Sequence, residues 1–388
     1  MAWTLVAFGA HLAFGLITAN MEAALSLLQG DDVAYHAVAR QIVDHWISGL
    51  PAPSLPPGKE GYYYVLATLY RIFGPQKAAG FALNAALAAA LIPLVSDLTR
   101  IAFGTKAARY VPPLAILPPS LFVLTSLLLK EAAVLFLIVT AANCAIRVAR
   151  RASLPPLVGL AASLSLLFTF RGPVALAVAM GLLLGIALAR RGVGGLTVAT
   201  GAVVFLAVLI FALGLGYSGY KAVTAANLET ANNVRLELST SAGSGFAPQT
   251  DVSTPQKAIA YLPLGLATFM LGPFPWHLEG GRQLLALPDV LVWWVLLLYG
   301  LKGLRAAWGV SSRSLVLLLA PAFAVATLLS LTIGNFGTLL RERLQVMILV
   351  MPFIALGLSR RKKGTDLQGD TRHMDEIRKV GRNPTYSP

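Results

Sequence analysis

Gln29-Gly30-Asp31-Asp32-Val33-Ala34-Tyr35-His36-Ala37-Val38-Ala39-Arg40-Gln41-Ile42-Val43-Asp44-His45-Trp46 follows directly on the first apolar run, residues 3–27. Two adjacent carboxylates therefore stand at the end of a stretch long enough to cross a bilayer, in a chain of 388 residues of which only 12% are charged. From Asp32 onward the pattern is helical. Tyr35, Val38, Ile42, Val43 and Trp46 share one face, and Asp32, His36 and Arg40 repeat every four residues on another. Such a helix lies along a membrane surface and presents a carboxylate beside a histidine and an arginine. That is suitable equipment for taking a proton from an alcohol next to an anionic leaving group. One of the two aspartates can cap the helix, a common role for this residue, and leave the other for chemistry.

Outward from this stretch, composition fixes the class. Hydrophobic residues make up 56% of the chain, the mean hydropathy is +0.71, and several runs reach the length of a transmembrane helix. We expect an all-α, polytopic transmembrane bundle of about ten spans, near 3–27, 78–98, 111–129, 132–148, 155–170, 173–189, 195–216, 284–301, 314–333 and 339–358. The membrane domain is then 1–360, with outer loops 28–77 and 217–283 and a basic, disordered cytoplasmic tail over 361–388. Cys144 is the only cysteine, so no intrachain disulfide forms. The net charge of +14 marks sidedness and not nucleic acid. With the N-terminus inside, the inner loops hold Arg100, Lys106, Arg109, Arg147, Arg150, Arg151, Arg190, Arg191, Lys302, Arg305, Arg313 and every basic residue from Arg360 onward, as the positive-inside rule requires. Asp31 and Asp32 then face outward, and both termini lie in the cytoplasm. A bacterial inner or plasma membrane fits this layout.

Two aromatic-bearing apolar stretches, 61–74 and 259–275, begin and end outside under this topology and are expected as interfacial or re-entrant helices. The segment 217–258, rich in Ser, Thr, Asn and Ala, suits either a lid or a connector.

Charges at the edges of apolar runs mark the remaining site candidates, because each carries a cost of a few kcal/mol in lipid. Lys130 and Glu131 stand between two runs, either as a tight outer hairpin or as part of a site. Arg171 occupies the turn Phe170-Arg171-Gly172-Pro173, and Arg341 and Arg343 open the last span. Arginine binds phosphate through two parallel hydrogen bonds, so these residues would suit a lipid-linked phosphate with its tail between helices. Arg341 and Arg343 are two apart on a helix and point some 200° apart, so only one can face a given phosphate; we favour Arg341. His277, in an aromatic turn, could line a sugar pocket or anchor the interface. His11 is expected to pack against a neighbouring helix. No zinc spacing, P-loop, dinucleotide fingerprint or Gly-x-Ser-x-Gly elbow occurs. No cofactor is called for, although the Asp31-Asp32 pair could bind a divalent cation.

These residues resemble the GT-C membrane glycosyltransferases, in particular the branch with lipid A aminoarabinose transferases and protein O-mannosyltransferases. The similar features are the acidic pair after the first span, the Asp32, Tyr35, Ala39 helix, the Tyr-rich segment ending Phe73-Gly74, Pro119 and Ser126 ahead of a charged residue, and a last span opening with arginines and reaching Pro352. Glu131, preceded by Lys130, stands where that branch usually has Asp. Pro56-Pro57-Gly58-Lys59 replaces its Lys-Pro-Pro. The resemblance implies transfer of a sugar from a polyprenyl-phosphate donor to a lipid, glycan or protein acceptor on the outer face. Anomeric inversion is implied too, with Asp31 or Asp32 as base. The alternatives are a polysaccharide polymerase of the O-antigen type and a non-catalytic transporter or flippase of polyprenyl-linked substrates.

Overall fold

The computed structural model describes residues 2–20, 31–55, 60–189, 227–241, 244–247, 249–277 and 286–360. Among these the chain is all-helical. The first half comprises α1 (Ala2–Asn20), α2 (Asp31–Ser48), α3 (Glu60–Phe73), α4 (Lys77–Phe103), α5 (Thr105–Ala108), α6 (Val111–Leu114), α7 (Pro119–Ser126) and α8 (Glu131–Arg150). Then come α9 (Leu154–Phe170), α10 (Gly172–Ala189), α11 (Leu228–Ser241), α12 (Pro255–Leu271), α13 (Leu287–Val310), α14 (Ser312–Thr332) and α15 (Phe336–Ser359). Helices are what apolar runs must form in lipid, where every backbone polar group needs an internal partner. Six of them, α1, α4, α8, α10, α13 and α14, are long and apolar enough to cross a membrane, and α9 is a shorter apolar helix. The chain is an integral, multi-pass membrane protein.

Of the about ten expected spans, four are not among these six, and two of the four, 155–170 and 339–358, are the helices α9 and α15. The expected span 195–216 and the tail lie outside the described residues. The expected span 111–129 is not one helix but α6 and α7 separated by a turn: Pro112 and Pro113 sit in the first turn of α6, whereas Pro119 holds the residue before it, Pro118, in an extended conformation. A second break follows at Leu127, whose backbone is extended. Asn84 of α4 repairs it: Nδ2 donates to Leu127 O at 2.5 Å and to Leu129 O at 2.8 Å. Irregular backbone is thus tolerated inside the bundle because protein, not lipid, meets its carbonyls.

The core is drawn together by small residues. Cβ atoms on Gly181 and Gly185 of α10 would collide with the backbone of α14 at Pro321 and Leu317. Gly303 of α13 and Gly357 of α15 meet each other's helices the same way, at Phe353 O and Tyr299 O. Van der Waals contact at close range replaces the hydrophobic drive that lipid does not provide.

Two charge groups mark the ends of α8. At one end Arg147, with Arg100, pairs with Asp97 of α4, each at 2.5 Å. Glu131 opens the other end, about 24 Å from Arg147 at 1.5 Å per residue, and buried charges collect there.

Candidate functional site

Helix α2 buries Asp32, Tyr35, Ala39, Ile42 and Val43. This corrects the expected face in two respects. Asp32 is 6% exposed and belongs to the buried face, whereas Trp46 is 45% exposed and stacks on Tyr64 at 6.4 Å. The reason is α3, which docks edge-on: Tyr35 meets Tyr62 at 4.9 Å and Tyr63 at 4.8 Å. Asp32 Oδ1 is buried and has no hydrogen-bond partner among the described residues. Asp31 begins the helix backbone, but its side chain lies outside the described atoms. His36 shares a 2.9 Å hydrogen bond between Nδ1 and the Tyr70 hydroxyl. Burial pushes the Tyr70 phenol up to about 12, with Arg40 pulling the other way, so it stays protonated. Arg40 itself is exposed.

Tyr62 links this helix to the rest of the site. Its hydroxyl donates to Asn84 Oδ1 at 3.2 Å, its ring lies 6.3 Å from Phe170, and burial drives its pKa well up, with Tyr35 and Glu131 among the minor causes. Gly61 beside it packs so closely that a Cβ would strike Thr169 and Phe170. Helices α2 and α3 are therefore seated on the end of α9, directly beside Arg171.

Lys130 and Glu131 are buried rather than an exposed hairpin, because the break at Leu127 turns them inward. Lys130 Nζ donates to Phe170 O at 3.0 Å. Arg171, in the break between α9 and α10, spans two carboxylates: Nη2 lies 3.0 Å from Glu131 Oε1, and Nη1 donates to Glu342 Oε2. Arg341 Nε approaches Glu131 Oε1 at 3.4 Å, and Gln345 Nε2 donates to Glu342 Oε2 at 2.7 Å. Three chain segments thus meet in one cluster, in which the two glutamates and the two arginines compensate one another. Glu131 Oε2 and Gln345 Oε1, like Asp32 Oδ1, are buried acceptors with no donor among the described residues. A hydroxyl-rich ligand would supply such donors.

Helix α15 begins at Phe336, three residues before the expected Leu339, because the Asn335 side chain accepts from Thr338 N at 3.0 Å and caps it. The two arginines diverge. Arg341 joins the cluster, while Arg343 is fully buried elsewhere. Its Nη1 donates to Gly272 O at 2.5 Å, its Nη2 lies 3.4 Å from Asp289 Oδ2, and its guanidinium sits 5.7 Å from the Trp293 ring. The other Asp289 oxygen accepts from Ser120 N at 2.8 Å. Every strong partner of Arg343 is thus a structural group. His277 belongs to a short 3-10 turn, and its side chain lies outside the described atoms. His11 packs on Phe122 at 4.6 Å and bonds Ser126 Oγ at 2.7 Å. Among the described residues no group of three His, Cys, Asp or Glu is placed to hold a metal ion.

Sequence reasoning missed Asp289, Asn84 and Arg235. Asp289 had a visible signal, being a lone carboxylate at the start of an apolar span. Asn84 had the same kind of signal within an alanine-rich one.

A multi-pass helical membrane protein with its buried charges gathered at one end, on helix breaks and on a helix after the first span, is the class these features define. Solved structures place it more closely. The Archaeoglobus fulgidus oligosaccharyltransferase in its apo form superposes with a TM-score of 0.55 at 14% identity, over 100% of this chain and 52% of its own. The oligosaccharyltransferase AglB of the same organism, in complex with an inhibitory peptide and a dolichol-phosphate, gives 0.52 at 14% over 91% and 48%. ArnT from Cupriavidus metallidurans, bound to undecaprenyl phosphate, gives 0.53 at 14% over 95% and 64%. The chain shares the fold of these oligosaccharyltransferase and ArnT structures. The chain spans only 52% and 64% of the length of the first and third of these. No family model matches the sequence, and no curated protein does.

Proposed function

We propose that this protein is a membrane glycosyltransferase that moves a sugar from a polyprenyl-phosphate-linked donor to a hydroxyl of a lipid, glycan or protein acceptor on the outer face. The observation that carries the reading is Asp32: a buried carboxylate with an unpartnered oxygen, on a helix seated through Tyr35 and Tyr62 beside the Arg171 and Arg341 cluster. Asp32 takes the proton of the acceptor hydroxyl, and the acceptor oxygen bonds to the anomeric carbon. The bond from that carbon to the phosphate oxygen breaks on the opposite side, so the configuration inverts. The electron pair leaves with the polyprenyl phosphate, whose developing charge meets Arg341 and Arg171. Lys130, Glu131 and His36 shape the pocket around the sugar. The direction of the charges supports the outer face, since Arg147 and Arg150 lie at the opposite end of α8.

The test uses the purified protein in nanodiscs with polyprenyl-phosphate-linked sugars and a panel of hydroxyl acceptors, read by mass spectrometry. A glycosylated product with inverted anomeric configuration and released polyprenyl phosphate is expected. Donor binding with no product for any acceptor, together with donor movement across the bilayer, would replace the enzyme by a transporter.

A further inference from the structure

Arg235, on the polar helix α11, is 1% exposed, although no lipid-linked chemistry described above uses it. Its Nη1 donates to Ile333 O at 2.6 Å. Its guanidinium carbon sits 4.5 Å from the Tyr261 ring centre and 5.5 Å from that of Phe246. Nε and Nη2 are buried and make no well-aligned hydrogen bond among the described residues, although the Tyr261 side chain interacts with the guanidinium. Those two nitrogens form the side edge of the guanidinium, the edge that grips an oxyanion by two parallel bonds. Burial lowers the pKa of this guanidinium and Tyr261 raises it back. An arginine in this setting remains a cation.

What lies against the guanidinium is equally specific. Phe246 stacks on Phe336 at 4.6 Å, and residues 244–246 form a short antiparallel bridge to 334–336. Phe246 N donates to Gly334 O at 2.8 Å and Phe336 N to Ser244 O at 3.0 Å. This strap rests on the first turn of α15. Arg341 follows Phe336 by five residues, roughly 8 Å along the helix axis.

We propose that the Nε and Nη2 edge of Arg235 is a second oxyanion site, for a carboxylate or phosphoryl group of a ligand that enters when the 244–246 strap lifts. The cation is held by two aromatic rings and one carbonyl, and those contacts leave the edge suited to bidentate recognition without a well-aligned acceptor. Arg343, by contrast, uses both terminal nitrogens on protein groups and leaves only Nε unpaired. The proposal does not depend on glycosyl transfer.

The experiment is phenylglyoxal modification of the intact protein in nanodiscs, with the rate at Arg235 followed by peptide mass spectrometry and exposed Arg40 as internal reference. Wild type is expected to label slowly and Phe246→Ala several-fold faster. Either glucuronate or inorganic phosphate should slow labelling at Arg235 several-fold without changing Arg40, while equal ionic strength of chloride should not. Protection by glucuronate alone assigns a carboxylate, and protection by phosphate alone assigns a phosphoryl group. An Arg235 that stays unlabelled in Phe246→Ala, or that labels at a rate indifferent to both anions, overturns the site. Asp32→Asn should leave these rates unchanged, so loss of sugar transfer and loss of the anion site are separately visible.

Discussion

Asp32 and Arg343 are both charged and both buried, yet their surroundings assign them opposite roles. Arg343 has a carboxylate, a carbonyl and an aromatic ring around it, while Asp32 Oδ1 has no hydrogen-bond partner among the described residues. Removing one partner of a buried pair strands the other, at about 3–5 kcal/mol. Arg343→Met should therefore lower the thermal unfolding temperature of the detergent-solubilised protein sharply, and Arg343→Met with Asp289→Asn should recover part of the loss. For Asp32→Asn the expectation is reversed: thermal stability unchanged or slightly higher, and transfer reduced by roughly 10²–10⁴-fold, the range for a general base. Single-turnover transfer beside donor binding checks this, and near-normal turnover in both Asp31→Asn and Asp32→Asn would remove the base from the mechanism. Arg341→Lys keeps the charge and loses the planar fork. It should lower turnover while donor affinity stays within a few-fold, and unchanged turnover would exclude Arg341 from the site.

At the scale of elements, breaks matter more than helices. The apolar runs announced most helices to within a few residues, because lipid leaves an apolar segment few other folds. Hydropathy is blind to continuity, so the run over 111–129 reads as one span although the Pro118-Pro119 pair that interrupts it is in plain view. The buried face of α2 was ambiguous for another reason. Ala39 carries little hydropathic weight, and the docking of α3 chooses the face, which no local pattern encodes. Charged candidates were legible one by one, and their convergence was not: Glu131, Arg171 and Glu342 are brought together by packing between distant helices. Arg235 was invisible because α11 has no apolar periodicity and is seated by close backbone contacts, with Gly334 against Arg235 O and Gly245 against Ser239 O. The break at Leu127 yields a direct test. Asn84→Leu removes the donor to two buried carbonyls, each worth about 1–3 kcal/mol when stranded. Its unfolding temperature should fall further than that of Asn143→Leu, whose amide reaches Leu94 O and Val139 O, because Val139 O lies within a continuous helix.

For the molecule as a whole, orientation in the membrane is the quantity to measure. Helix α12 contacts one end of the bundle along its whole length. Tyr261 lies against Arg235, Gly265 against Ser330 O, and Met270 O and Leu271 O accept from the indoles of Trp293 and Trp294. Cysteines at Ser253 and Trp276, in a Cys144→Ala background, are therefore expected to label from the same side with an impermeant maleimide, and a cysteine at Arg151 from the other. Labelling of only one of the first two would make α12 a crossing.

The glycine contacts bear on how such a body can move. Where α10 touches α14 and α13 touches α15, main chain rests on main chain, and neither partner can slide without opening a gap along the seam. Those pairs behave as stiff planks. Helices α2 and α3 are instead joined to the planks through aromatic rings and single hydrogen bonds, joints that can loosen and reseat by turning a side chain. Any working stroke should therefore be confined to these hinged shutters at the Asp32 end, leaving the planks as the stationary frame of the doorway.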